Sequence, residues 1–111
     1  MLFFENIFML LFGHAVADFV LQPDAMGYGK NRNDKIHAKE HSLFPVWYYW
    51  LTAHALVHGG IVYMITGNIW LGVLETVLHW ITDFAKNEGW IGMHQDQGIH
   101  ISCKVGYAFL F

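Results

Sequence analysis

Residues 14–22 read HAVADFVLQ, and they lie inside the longer run LFFENIFMLLFGHAVADFVLQ (residues 2–22). The run is long and apolar enough to sit in a bilayer, yet it carries His14, Asp18 and Gln22. Spaced four residues apart, these three share one face of a helix, with about 6 Å between neighbours along the axis. An ionisable group inside a bilayer costs several kcal/mol, so a polar stripe in such a segment implies compensating partners elsewhere in the chain. A strand reading fails, because the run is too long and its polar residues recur at four rather than two.

Outward from this stretch the same organisation repeats. Four apolar segments predict helices near 2–22, 46–66, 69–86 and 94–111, the first closed by Pro23 and the second opening after Pro45. The first two have the roughly 20 residues that a bilayer crossing requires. The first segment has no basic stretch before it and carries its own polar face, so it reads as a retained helix rather than a cleaved leader. The expected fold is therefore all-α: a compact four-helix membrane bundle forming a single transmembrane domain over 1–111, with a polar, basic loop at 23–45. A small water-soluble bundle is the alternative. Against it stands VWYYWLTAHALVHGGIVYMIT (46–66), which has no Asp, Glu, Lys or Arg and no clear polar face.

Loop charge orients the segments. Lys30, Arg32, Lys35 and Lys39 lie in the first connection and Lys86 opens the third, whereas the Thr66–Asn68 turn has no basic residue. With alternating spans the two basic connections fall on one side, which the positive-inside rule places in the cytoplasm. Trp47, Tyr48, Tyr49 and Trp50 then sit at the cytoplasmic interface and Trp70 at the opposite one.

Composition removes several function classes. The formal charge is −3, and six Lys and Arg form no basic stripe with interleaved aromatics, so nucleic acid is not an expected partner. Cys103 is the single cysteine, which leaves no internal disulfide and no CxxC metal knuckle. GYGK (27–30), followed by Asn31, lacks the Gly and the Ser or Thr that a Walker A loop needs. His37 to His41 fit H-x-x-E-H, but in a charged loop, away from the other ligands, and in too small a chain for that protease class.

Eight histidines in 111 residues are the unusual feature. Each segment offers an i, i+4 pair of histidine or carboxylate: His14 and Asp18, His54 and His58, His79 and Asp83, Asp96 and His100, with Glu75 one turn before His79. Counted at 1.5 Å per residue from the basic end, His14, His54, His79 and His100 all fall at roughly 9–12 Å. Asp18, Asp83 and Asp96 fall nearer that end, and His58 and Glu75 deeper. Inward-facing helical pairs of this kind are how bundles build one- and two-metal sites, and His with carboxylate suits Zn, Mn, Fe, Ni or Co. The expected metal ligands are therefore drawn from His14, Asp18, His54, His58, His79, Asp83, Asp96 and His100, holding one or two divalent ions. His37 and His94 read as peripheral.

HAVADFVLQ, Lys30, HALVHGG, ETVLHWITDFAKNEG and DQGIH followed by Cys103 and Lys104 together resemble a family of unknown function: small membrane proteins of bacteria and of phage genomes. Its pattern is H-x3-D-F-x-x-Q, then a His, then H-x3-D-x-x-K, then D-Q-x-x-H. The resemblance covers nearly the whole chain and carries over His14, Asp18, Gln22, His54, His79, Asp83, Lys86, Asp96, Gln97 and His100. It implies an integral membrane protein of a bacterial or a phage source, located in a bacterial inner membrane or in that of a phage-infected host, and it brings no activity with it.

The expected function is a membrane-embedded, metal-dependent hydrolase. A bound metal lowers the pKa of its water toward 7 and polarises a phosphoryl or acyl oxygen. Asp18 and Glu75 are the candidate general bases and Lys86 a catalytic cation. Gln22, Lys30 and Gln97 are candidates for contacting the substrate, a lipid head group or another membrane-associated molecule. The alternatives are a metal-ion or proton transporter, and a non-catalytic phage membrane factor with a structural metal or haem site. The lipid bilayer is the expected partner in each case.

Overall fold

The computed structural model describes residues 2–34 and 46–111. Among them every regular element is helical: α1 (Leu2–Ala15), continued by a π-helical turn (Val16–Val20), then α2 (Asp24–Gly29), α3 (Trp47–Thr66), α4 (Ile69–Asn87) and α5 (Met93–Ala108). The all-α expectation holds. The H-x-x-E-H match at His37–His41 lies outside the described residues, as do Lys35 and Lys39.

Two details depart from the sequence reading. The first long helix is not α-helical to Gln22: it widens at Val16, where the Leu21 N–H reaches back five residues to the Val16 carbonyl at 2.8 Å. Pro23, extended at ψ 160°, then turns the chain. The segment expected as loop contains α2, whose first turn holds Asp24 where the helix N-terminus favours an acid.

The four long helices form a ring in which α1 and its π turn touch α3 and α5, and α4 touches the same two. The α3–α4 connection is tight. Gly67 adopts φ +68°, a left-handed conformation that costs a Cβ-bearing residue, and its N–H caps the Tyr63 carbonyl at 2.8 Å. Asn68 then caps α4, its side-chain oxygen accepting from the Trp70 N–H at 2.9 Å. Midway along, the two helices meet glycine to backbone: a Cβ on Gly59 would lie 2.6 Å from the Gly72 carbonyl oxygen and 1.8 Å from Thr76 Oγ1.

The interior is polar and the exterior apolar. Among the described residues twelve polar or charged side chains are buried against eight apolar ones. The apolar core proper is a small cluster of Leu10, Val62, Leu71, Tyr107 and Ala108 toward the α3–α4 turn, flanked by Phe3, Ile7, Ile65 and Cys103. Meanwhile Phe4, Phe8, Phe12, Phe19, Leu56, Met64 and Trp70 stand outward. By length and composition one described helical stretch, Leu2–Val20, is long and apolar enough to cross a membrane. The expected second span, α3, has the length; its two buried histidines and N-terminal Trp and Tyr residues hold its mean hydropathy down.

The described part of the first connection meets the third. Arg32 forms a forked pair with Glu88, with Nη2 2.9 Å from Oε2 and Nε on Oε1, and its guanidinium lies over Trp47 and Phe84. Arg32 holds the Glu88 carboxyl below its ordinary range. Asn33 donates to the Asn87 carbonyl at 3.0 Å, so residues 30–33 are fastened over the C-terminal end of α4.

A candidate metal centre in the polar interior

The π turn sets the centre of the site. It carries Asp18 inward, where Oδ1 lies 3.1 Å from His54 Nε2, 3.1 Å from His58 Nε2 and 3.8 Å from His79 Nε2. His54 and His58 are one turn apart on α3, and the close α3–α4 approach at Gly59 and Gly72 brings His79 onto them. A four-coordinate ion with bonds of about 2.1 Å spaces its ligand atoms by about 3.4 Å. The three spacings from Asp18 Oδ1, 3.1–3.8 Å, bracket that value, and all four ligand atoms lie within 4.8 Å of one another. These four buried residues form one group able to hold a metal ion; Glu75, His79 and His100 form a second that shares His79.

His79 is the hinge of the arrangement. Its ring is stacked between His58 (3.6 Å between centroids) and His100 (4.0 Å). It is 1 % exposed, and neither ring nitrogen makes a hydrogen bond. Nε2 faces Asp18, and Nδ1 faces Glu75 Oε1 at 3.4 Å. A buried polar atom without a partner costs about 1–3 kcal/mol, and this ring has two.

The surrounding side chains tie the remaining lone pairs. Gln97 bridges two groups: its Nε2 donates to Asp18 Oδ2 at 2.7 Å, and its Oε1 accepts from His14 Nε2 at 2.9 Å. His14 itself is 3.7 Å from Asp18 Oδ2. His100 Nε2 is 3.1 Å from Asp96 Oδ1 on the preceding turn of α5. Asp83 receives Lys30 at 2.6 Å and Lys86 at 3.0 Å, and Lys86 also reaches Asp96 at 3.7 Å. Burial pulls the Lys30 ammonium below its ordinary range, with Asp83 opposing that shift. At the deep end Glu75 accepts from Lys104 on Oε1 and from the Tyr107 hydroxyl on Oε2 at 2.8 Å.

The structure thus brings together all eight residues expected as ligands, but in distinct positions. Asp18, His54, His58 and His79 converge on one point; His100 lies in the second group with Glu75, which had been singled out as a base. His14, Asp83 and Asp96 are around them, bonded to Gln97, to lysines and to His100. Gln22 donates weakly to the Asp18 carbonyl at 3.4 Å. Lys30 is buried rather than open at the rim, whereas Lys86 keeps 21 % of its side chain exposed. His94 is exposed. Lys104 and Tyr107 are the site residues that the sequence reading missed. Their signal was present: Asp96, His100, Lys104 and Tyr107 recur at i, i+4, i+8 and i+11, one helical face.

An all-α ring around a histidine–carboxylate–lysine interior defines a small helical protein whose chemistry faces inward. The chain belongs to DUF3307, a family of proteins of unknown function, whose profile matches residues 7–105. No curated protein and no solved structure matches it.

Proposed function

We propose that this chain is a membrane-embedded, metal-dependent hydrolase acting on a lipid head group or another membrane-associated substrate. The observation that carries the reading is His79: a fully buried imidazole with both nitrogens unbonded, one aimed at the point where Asp18, His54 and His58 converge. Zn, Mn, Fe, Ni or Co fits that donor set. When bound, such an ion would supply Lewis acidity and, in a coordination position beyond the four protein ligands, an activated water. Asp18 would be a ligand through Oδ1, with Oδ2 held in place by the Gln97 amide. Glu75 Oε1, 3.4 Å from His79 Nδ1, is the carboxylate within reach to orient that ring once Nε2 holds an ion. Lys86, with its exposed fraction at the basic end, is the cation placed to meet an anionic oxygen of the substrate.

Membrane embedding is supported by the inverted distribution of polarity. Tyr48, Tyr49 and Trp90 are exposed near the basic end and Trp70 at the other, with exposed Phe, Leu, Ile and Met between them; a membrane protein carries its aromatic belts in this way. Transport is the weaker reading. A conducted ion needs a polar path from end to end, and here the polar interior stops at the Leu10–Val62–Leu71–Tyr107 cluster.

The test is turnover. Untagged protein, loaded with each candidate metal in vesicles of phosphatidylethanolamine and phosphatidylglycerol, is expected to release a head-group or acyl product, and Asp18→Asn to abolish release. Folded, metal-loaded protein that cleaves neither these lipids nor a membrane-inserted peptide would overturn the hydrolase reading.

A further inference from the structure

We infer that the interior holds one metal ion rather than two, and that Lys104 is the fixed cation standing where a second would bind. This rests on the metal reading above and adds to it a count and a role for a residue that reading does not use. Three of the four buried carboxylates have an ammonium partner: Glu75 has Lys104, Asp83 has Lys30 and Lys86, and Asp96 has Lys86. Asp18 faces histidines and an amide among the described residues. A divalent cation is therefore balanced at Asp18 and opposed by like charge at Glu75.

The hydrogen bonding agrees with the charges. The Glu75 group has ligand atoms close enough to hold an ion, but both Glu75 oxygens are already engaged, by the Lys104 ammonium and the Tyr107 hydroxyl. Lys104 is 2 % exposed, so its charge is fixed in place by Glu75 rather than solvated. The two His79 nitrogens face different groups, Nε2 toward Asp18 at 3.8 Å and Nδ1 toward Glu75 Oε1 at 3.4 Å, so an ion held at Nε2 would leave Nδ1 to carry the proton on the Glu75 side. The second group is the outer support of the first site.

Metal stoichiometry decides the matter, measured by elemental analysis after equilibration of untagged, detergent-solubilised protein with excess Zn2+ and removal of free ion. Wild type is expected to retain one equivalent, and Lys104→Ala to acquire a second, weaker one through Glu75 and His100. Two equivalents in wild type overturn the inference while leaving the metal reading intact; none overturns both. A folded Lys104→Ala variant that stays at one equivalent also overturns it. Because that variant leaves Glu75 unpaired, the double variant Glu75→Gln/Lys104→Met, which removes the pair as a unit, is the companion measurement. It is expected to keep one equivalent, and a folded double variant that holds none would overturn the assignment of the Glu75 group as mere outer support of a one-ion site.

Discussion

Lys30 and Asp83 lie 2.6 Å apart with side chains 3 % and 1 % exposed. Desolvating two such charges absorbs most of what their attraction returns, so the pair adds little net stability, whereas removing one partner strands the other. Lys30→Met is therefore expected to cost about 3 kcal/mol in unfolding experiments in detergent, at the low end of such losses because Lys86 stays beside Asp83. Adding Asp83→Asn to Lys30→Met is expected to recover much of it. A single variant as stable as wild type would mean the pair is solvated. Individual residues were legible wherever a helical period linked two polar groups, as for His14 with Asp18 or Asp96 with His100. Lys30 was not, because its partner is 53 positions away and no local spacing reports a long-range pair. Nor was the division of labour among the ligands, which depends on which nitrogen each ring presents.

At the scale of elements, the α3–α4 contact positions the centre. A Cβ at Gly59 meets backbone and Thr76 rather than the end of a flexible side chain, whereas one at Gly60, its neighbour, meets nothing within 4 Å. Gly59→Ala is expected to destabilise by about 1–3 kcal/mol through overpacking and to weaken metal retention by prising His54 and His58 from His79. Gly60→Ala is expected to do neither. Equal behaviour of the two in thermal unfolding and metal retention would contradict this packing. The helices themselves were legible in sequence because four long apolar runs, bounded by Pro23, Pro45 and the Gly67–Asn68 turn, leave few alternatives. The π turn at Val16–Val20 was not: its residues suit an α-helix equally well, and nothing in their local spacing marks the Leu21-to-Val16 bond.

Across the whole molecule, the Arg32–Glu88 pair ties the described part of the first connection to the end of α4. Because Arg32 lowers the folded-state value of the Glu88 carboxyl, the pair contributes its stability above the ordinary glutamate range and loses it as pH falls through the lowered folded value. Melting of wild type and Arg32→Ala is thus expected to differ near neutral pH and to converge in acid; a gap that persists below that value would assign the difference to Arg32 stacking on Trp47 and Phe84. The inversion of polarity, apolar outside and charged inside, was foreshadowed by polar residues recurring within apolar runs. Its closure by Lys104 was not, since the partner, Glu75, is 29 positions away and no local spacing links the two.

The measurement that bears most directly on the polar interior is elemental analysis of detergent-purified protein, prepared without a histidine tag, beside His79→Ala. About one equivalent of Zn, Mn, Fe, Ni or Co in the wild type, lost in a variant that remains folded, is the expected result. A folded wild type that stays metal-free even after reconstitution with each ion would contradict the metal centre and leave the interior a hydrogen-bonded network of histidines and carboxylates.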